Sequence, residues 1–136
     1  MKLVVNRCFG GFGLSPLAQL EYLKLKGKEC FFYIGGLREP YKKIPIEAAK
    51  NEPIVHVTTN DIGDNPTSEE MNCEYYFCDR DIERNDADLV AVVEKLGDNA
   101  NSQFAKLEIV EIPDGIDWEI DDYDGSETVA EKHRTW

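Results

Sequence analysis

The alternation of apolar and polar positions predicts a strand, a helix and a second strand at the start of the chain. An apolar segment at residues 2–8 leads into a glycine-rich loop, and a helix then begins at Ser15-Pro16 and ends near Gly27. Serine caps helix N-termini well, and proline suits the first helical position because its missing N–H would have no partner there. An apolar strand at 30–34 completes the unit, for which we expect two parallel strands joined by a right-handed crossover.

Two segments place apolar residues at helical spacing. In the first helix the apolar stripe consists of Leu17, Leu20 and Leu23, and Ala18, Tyr22 and Leu25 widen it. The second helix begins after Asn85 or Asp86 and ends at Gly97, or its stripe extends past a kink to Ala100 and Phe104. Its apolar side chains follow the i, i+3, i+4, i+7 pattern of a single helix face, with the members Leu89, Val92, Val93 and Leu96. We therefore expect two main helices, each buried along one face.

The middle of the chain predicts short elements separated by breaks. Residues 46–50 suit one helical turn, and the β-branched segment 54–59 and the aromatic segment 75–78 suit strands. The segment between those strands, 60–72, is polar and acidic and contains Gly63. We expect a mobile acidic loop there, because this composition neither packs into a core nor follows a helix or strand period.

The last part of the chain predicts an antiparallel hairpin. A strand at 107–112 comes first, and segments 116–123 and 127–134 then flank Asp124-Gly125, a dipeptide that favours a two-residue turn. Together with the earlier elements, the pattern predicts a single α/β domain over residues 1–136. Its expected parts are a mixed sheet with an N-terminal parallel βαβ unit, two main helices and the C-terminal antiparallel hairpin.

Charge changes this picture because it is divided unequally along the chain. Residues 1–50 carry nine basic and four acidic side chains, residues 51–136 carry six basic and 23 acidic ones, and the net charge is −12. A body this acidic repels phosphates, so we expect no direct nucleic-acid binding. It attracts a protein with a basic surface, although an acidic surface also serves solubility alone.

Membrane segments and metal-binding motifs are both missing from the sequence pattern. No apolar run approaches the length of a membrane span, and the N-terminal segment lacks the apolar stretch of a signal peptide. We therefore expect an intracellular protein without membrane association, whose four cysteines are free thiols. Only Cys73 and Cys78 are close in sequence. One such pair does not make a zinc site, and we expect no metal and no cofactor.

The glycine-rich loop is the first candidate for chemistry. It lies between a strand and a capped helix, where backbone N–H groups can hold a phosphate or a carboxylate. The residues that would take part are Asn6, Arg7, Gly10, Gly11, Gly13 and Ser15. The loop lacks the third glycine of a dinucleotide-binding fingerprint and the lysine of a P-loop. Two interpretations stay open: an anion-binding site, or a turn in which the backbone alone needs glycine.

The second candidate is the acidic part of the C-terminal hairpin. On a strand, Asp117, Glu119 and Asp121 point to one face, while Trp118 and Ile120 point to the other. A row of acids with this spacing mimics a phosphate backbone for a basic partner. The candidate partner-binding residues are Asp117, Glu119, Asp121, Asp122 and Asp124. The alternative is a solvated strand face. A calcium loop does not fit, because Ile120 would occupy its first ligand position.

Three segments near the two ends of the chain carry distinctive motifs. They are NRCFGGFGLS at 6–15, DLVAVVEKLG at 88–97, and a C-terminal series that runs from EIPDGIDWEI at 111–120 through YDG at 123–125 to EKHRTW at 131–136. Together they resemble a family of small proteins encoded by bacteriophages and prophages, for which no activity is established. The resemblance does not extend to about residues 36–80. It implies a bacterial cytoplasm during infection and an accessory role, and it supplies no catalytic or binding residues.

Two functional hypotheses follow from these observations. The first is a non-enzymatic phage accessory protein that binds and antagonises a host protein with a basic surface, such as a defence nuclease. The second is a protein or small enzyme that binds a nucleotide or phosphate at Gly10–Ser15. The acidic charge and the phage resemblance favour the first, which would act in the cytoplasm of the infected bacterium. Trp136 indicates docking on the domain itself or on a second subunit, so a homo-oligomer stays open.

Overall fold

The computed structural model describes residues 1–37 and 39–132. Helices lie at Pro16–Leu25 (α1), Ile46–Ala49 (α2), Ser68–Met71 (α3) and Ala87–Leu96 (α4). Strands lie at Lys2–Asn6 (β1), Phe31–Gly35 (β2), Tyr41–Ile44 (β3), His56–Thr58 (β4), Tyr76–Phe77 (β5), Leu107–Glu111 (β6), Trp118–Tyr123 (β7) and Ser126–Glu131 (β8). The predicted α/β class is confirmed. The expectations for residues 133–136, including the docking of Trp136, lie outside the described residues.

The strands form three antiparallel sheets. β1 pairs with β6, the second sheet has the order β3-β2-β4-β5, and β7 pairs with β8. The predicted parallel βαβ unit and the mixed sheet are therefore wrong. β1 and β2 belong to different sheets, and the strand pairs between described residues are all antiparallel. Lys2 lies opposite Glu111, so β1 has its partner in the last part of the chain, and α1 leads from one sheet into another.

Both main helices begin where the sequence predicts. The Ser15 hydroxyl accepts the N–H of Ala18 at 3.1 Å, and the Asp86 carboxylate accepts the N–H of Asp88 at 2.8 Å. These bonds satisfy donors that a helix leaves free in its first turn. The two predicted caps, and the predicted pair of main helices, are confirmed.

The wide apolar stripe predicted for α1 is buried in part, and its member Leu25 is exposed. Ala18, Tyr22 and Leu23 are buried, whereas Leu17 and Leu20 are half-buried. α1 packs against α4, and α4 buries Leu89, Val90, Val92 and Val93. Apolar residues occur on several sides of α1, so its tertiary neighbours decide which side is covered.

The predicted acidic loop at 60–72 contains a helix. At the start of α3, the N-cap residue Thr67 and Glu70 exchange side-chain and backbone hydrogen bonds in a capping box. The same segment borders β3, a strand that the sequence pattern does not reveal. The N–H of Tyr41 on β3 donates to the Pro66 carbonyl at 2.8 Å. The segment is thus tied to the second sheet, and its mobility stays a prediction.

The apolar core joins the two main helices to the sheets and supports the glycine-rich loop. Its members include Val4, Leu23, Phe32, Val57 and Leu89 from five different elements. Phe12 and Leu14 of the loop belong to the same cluster. Burial of such side chains stabilises the fold by about 1.5–3 kcal/mol each, so the loop has a fixed position on the core. Among the described helices, none is long and apolar enough to cross a membrane.

Candidate functional site

The C-terminal hairpin is formed by β7 and β8 and confirms the predicted turn. Asp124 and Gly125 have φ angles of 49° and 91°, as a type I′ turn requires. The Asp122 carboxylate accepts the N–H of Gly125 at 2.7 Å, which supports the same turn. The register continues without a bulge along all six residues of β7. Side chains along the hairpin therefore alternate between two faces.

One face of the hairpin is acidic and exposed. It carries Asp117, Glu119 and Asp121, as the alternation predicts. Ala130 lies opposite Glu119 and Thr128 lies opposite Asp121, so the neighbouring strand places no charge beside these two acids. None of the three carboxylates forms an ion pair with another described residue. We call Asp117, Glu119 and Asp121 the acidic face.

An ion pair between the buried Glu127 and the half-buried Arg84 holds the other face of the hairpin on the body of the protein. Arg84 donates to both carboxylate oxygens of Glu127, with 2.8 Å between Nη2 and Oε2. The Asn6 N–H donates to the same carboxylate at 2.8 Å. The guanidinium of Arg84 also lies over the Phe12 ring, 3.7 Å from its centre, where a cation is attracted by the ring face. We call Arg84 and Glu127 the hairpin latch.

Asn6 and Arg7, two predicted anion-site residues, also bind the hairpin. Asn6 Nδ2 donates to the Gly125 carbonyl at 2.7 Å, and Arg7 Nη1 donates to the Glu127 carbonyl at 2.7 Å. Their polar groups are therefore used in attaching β8 to β1. The latch itself was not predicted. Its one signal in the sequence is that Glu127 shares a strand face with Val129, where alternation predicts an apolar residue.

The glycines of the loop have structural roles. A side chain at Gly10 would meet the backbone of Phe104, and Gly11 has a φ of 92°, a conformation that favours glycine. Gly13 lies against the side chain of Ser102. These contacts support the structural interpretation of the loop.

Two N–H groups at the start of α1 have partners within the protein. The N–H of Leu14 donates to the Asp79 carboxylate at 2.8 Å, and that of Ser15 donates to the Ala100 carbonyl at 2.8 Å. Burial raises the pKa of the Asp79 carboxyl above its ordinary value, and the bond from Leu14 acts in the opposite direction. A carboxylate of the protein itself therefore occupies a position that an external anion would take.

A groove of about 830 Å³ lies beside the glycine-rich loop. Gly10, Gly11, Gly13 and Ser15 are among its lining residues, whereas Asn6 and Arg7 are not. On its far wall, His56 Nδ1 and the Tyr76 hydroxyl are 3.1 Å apart. Burial lowers the pKa of His56, so the imidazole is neutral at pH 7. We call this cavity the loop groove.

Two aromatic side chains are exposed at the turn end of the hairpin. Phe9 is 69% exposed and Tyr123 is 75% exposed, and their rings meet edge to face with 6.4 Å between centres. The remaining candidate partner-binding residues, Asp122 and Asp124, flank Tyr123 and are exposed. Exposed aromatic side chains of this kind are typical anchors of protein interfaces. We call Phe9 and Tyr123 the aromatic tip.

The titratable residues of the described chain do not gather into a metal centre. Within residues 1–37 and 39–132, no three His, Cys, Asp or Glu side chains are grouped so as to hold a metal ion. Cys8, Cys30, Cys73 and Cys78 are free thiols. Burial raises the pKa of Cys30 to about 12, which keeps this thiol protonated at physiological pH.

Comparisons with known proteins add no function to this geometry. The chain matches no protein-family model, no curated protein and no solved structure. The resemblance to phage-encoded proteins accordingly stays a prediction. Function is inferred from three features of the molecule itself: the acidic face, the aromatic tip and the loop groove.

Proposed function

We propose that the protein is a phage-encoded, non-enzymatic accessory protein that binds and antagonises a bacterial host protein through the acidic face. The partner has a basic surface, as a defence nuclease has where it holds nucleic acid. One observation carries the proposal. Asp117, Glu119 and Asp121 are exposed on one strand face and pair with no described cation. Their charge therefore acts on a partner in the cytoplasm of the infected bacterium.

The hairpin presents these charges at fixed separations. Alternate side chains on a strand lie about 6.8 Å apart, so three carboxylates form a short line of negative charge. The type I′ turn at Asp124 and the hairpin latch hold the strands in place. A rigid line of charge loses little conformational entropy when it binds. It is thus suited to compete with a phosphate backbone for a basic groove.

The aromatic tip supplies the apolar contact that charge alone lacks. Charged groups set the association rate and the choice of partner, whereas buried aromatic side chains contribute much of the affinity. Phe9 and Tyr123 lie at the turn end of the same hairpin that carries the acidic face. Both features therefore support a protein partner.

Capture from a bacterial lysate with three matched baits tests the proposal. The first bait is the wild-type protein, and the second neutralises the acidic face. The third has the same net charge as the second, because it neutralises three exposed acids elsewhere. We expect a partner, identified by mass spectrometry, that the first and third baits retain and the second loses. Its retention should fall as salt rises. The second bait carries Asp117→Asn, Glu119→Gln and Asp121→Asn, and the third carries Glu69→Gln, Glu74→Gln and Asp98→Asn.

The comparison between the second and third baits is decisive. Equal retention by these two baits would show that the position of the acids is irrelevant and would contradict the proposal. A partner that the acidic face holds should also be inhibited by the purified wild-type protein. The second bait should not inhibit it at the same concentration.

A second candidate function is supported by the loop groove. Lys50 and Arg80 line it and form no ion pair with a described residue. Positive charge is thus available to a nucleotide or a phosphate. Glu52 and Asp79 line the same groove and oppose an anion there, and for this reason we rank the candidate second.

A melting screen with nucleotides and with inorganic phosphate tests the second candidate. A ligand at 100 times its Kd adds about 2.7 kcal/mol to stability. We expect any genuine shift to disappear in Arg80→Ala and to persist in Arg7→Ala, which lies outside the groove. A screen without any shift would remove this candidate.

A further inference from the structure

The outer edge of β7 has backbone groups that face no other strand of the described residues. Tyr123 and Ser126 close the hairpin as a hydrogen-bonded pair, so every second residue back along β7 faces β8 in the same way. The residues between them, Trp118, Ile120 and Asp122, direct their N–H and C=O groups away from β8. None of these three N–H groups donates to a described residue. Among the described strands β7 pairs with β8 alone, so no described strand lies along its opposite edge.

Two other sheet edges of the molecule are covered by hydrogen bonds. On β1, the N–H of Val4 donates to the Arg84 carbonyl at 2.9 Å. On β3, the N–H of Tyr41 donates to the Pro66 carbonyl at 2.8 Å. An uncovered strand edge is a template on which another chain adds a strand. The edge of β7 offers such a template beside the acidic face.

We propose that a basic, extended segment of the partner binds the outer edge of β7 as an additional strand, an inference that rests on the proposed function. Side chains of an added strand alternate between the two faces of the hairpin. On one face they lie next to Glu119 and Asp121, which favours lysine or arginine. On the other face they lie next to Trp118 and Ile120, which favours apolar residues. The segment recognised therefore alternates basic and apolar residues.

A second copy of the chain does not fit this edge. Antiparallel pairing of β7 with its own copy would place Glu119 and Asp121 of one molecule beside the same acids of the other. Like charges on neighbouring strands destabilise the pair. Charge complementarity thus selects a basic partner over self-association at β7.

Binding of labelled peptides to the full chain, measured by fluorescence anisotropy at low salt, tests the inference. The parent peptide alternates four lysines with three valines. A second peptide has the same composition with the lysines and valines in separate blocks. Two further peptides carry backbone N-methyl groups, one on all the valines and the other on the inner lysines. Only one of these two sets of N–H groups faces β7 in a given strand direction.

The parent peptide should bind at least about tenfold more tightly than the block peptide, since only the alternating order satisfies both faces. One methylated peptide should lose binding by about tenfold or more, through lost hydrogen bonds, while the other binds as the parent does. Strand addition would be overturned if all four peptides bind the wild-type protein equally and the variant with a neutralised acidic face binds none of them. That result would still support the proposed role of the acidic face. Absence of binding by the parent peptide would also overturn strand addition. The acidic face is then judged by the lysate capture alone.

A pair of proline variants tests the same edge from the side of the protein. Ile120→Pro removes an outward N–H from β7 without removing a bond to β8. Ile109→Pro is the matched control, because Ile109 lies on β6 with its N–H directed away from β1. Binding of the parent peptide should fall in the first variant and persist in the second. Equal affinities in two variants that both retain the wild-type circular dichroism spectrum would contradict the inference. If Ile120→Pro unfolds, the binding of the methylated peptides to the wild-type protein still tests strand addition.

Discussion

Glu127 is a charged residue at a strand position where the alternation predicts an apolar side chain. It is 4% exposed, and its carboxylate accepts bonds from Arg84 and from the Asn6 N–H. Removing a carboxylate from water is unfavourable, and these bonds offset that loss. The net stability gained from such a pair is small, but loss of one member is strongly destabilising. The effect of a buried charge on the stability of this protein therefore depends on the groups that the charge contacts.

Glu127→Ala should lower the free energy of unfolding by about 3 kcal/mol, because the largely buried Arg84 guanidinium is left without an opposite charge. The double variant Arg84→Met with Glu127→Leu should be more stable than Glu127→Ala, since it removes both charges. Urea unfolding measures the effect. Glu131→Ala, an exposed acid on the same strand, is the control and should change stability by less than about 0.5 kcal/mol. A Glu127→Ala protein as stable as this control would show that the latch does not hold the hairpin.

The lowered pKa of His56 predicts that the folded protein loses stability in mild acid. Burial lowers its folded-state pKa below the ordinary value of 6.5. The unfolded chain therefore takes up a proton that the folded chain does not, and stability falls as the pH falls below about 6.5. Melting temperatures at pH 7.5 and 5.5 should differ less in His56→Gln than in the wild type. Tyr76→Phe keeps the ring that covers His56 and should retain the wild-type difference. An unchanged pH dependence in His56→Gln would assign the effect to another group.

At the scale of the elements, local chemistry predicts where helices and turns begin, and distant pairing decides where strands go. Ser15, Asp86 and the Asp124-Gly125 turn act on backbone within a few residues, so a short window of sequence contains both cause and effect. β1 has its partner in β6, and neither segment specifies the other. The predicted βαβ unit failed for this reason. Each of its three elements exists, but β1 and β2 do not pair.

In the candidate site, too, the features set by neighbouring residues could be predicted and the contacts between distant residues could not. Strand alternation was sufficient to place Asp117, Glu119 and Asp121 on one face. The hairpin latch joins residues 43 positions apart, and the Leu14–Asp79 bond joins residues 65 positions apart. No motif spacing connects such residues before the fold brings them together. Sequence therefore predicted the charges that face solvent better than the contacts that fix the hairpin and the loop.

Ser15→Ala should destabilise α1 by about 1 kcal/mol through loss of its N-cap. The hydroxyl accepts the N–H of Ala18 and donates to the Asn99 carbonyl at 2.6 Å, so both contacts are lost. Thr128→Ala, on the exposed hairpin, is the control and should have little effect. Urea unfolding compares the two variants. If Ser15→Ala is as stable as the wild type, Ser15 does not act as a stabilising N-cap. If the folded variant no longer captures the partner, the loop groove is favoured over the acidic face as the binding site.

At the scale of the whole molecule, ion pairs join the basic first part of the chain to the acidic remainder. Lysines and one arginine from the first 50 residues pair with acids from later segments, in Lys2–Glu94, Arg7–Glu108, Lys26–Asp86 and Lys43–Asp61. Several of the available cations are therefore used within the fold. The net charge of −12 includes the acidic face as an excess that no described cation neutralises. The unpaired negative charge of the acidic face therefore results from ion pairing elsewhere in the fold as well as from the excess of acidic residues in the sequence.

Neutralising the acidic face should not destabilise the protein. The three carboxylates form no described ion pair, although Lys132 lies opposite Asp117, so the bait variant with Asp117→Asn, Glu119→Gln and Asp121→Asn removes mainly repulsion. Its melting temperature should equal or slightly exceed that of the wild type at low salt. The two should converge at about 1 M salt, where charges are screened beyond about 3 Å. A clear loss of stability at low salt would mean that these acids support the fold, and would weaken their assignment to a partner.

The arrangement of β1 also has a consequence for synthesis of the protein. Asn6 is synthesised 121 residues before Glu127, whose carboxylate accepts the Asn6 N–H. At the usual rates of translation, β1 waits roughly 6–24 s for this contact to become available. Until β6 has been synthesised, the apolar strand β1 lacks its pairing strand on the nascent chain, where chaperones and unwanted neighbours compete for it. The yield of folded protein in a cell is thus governed by how fast the chain is finished as well as by how stable it is once complete.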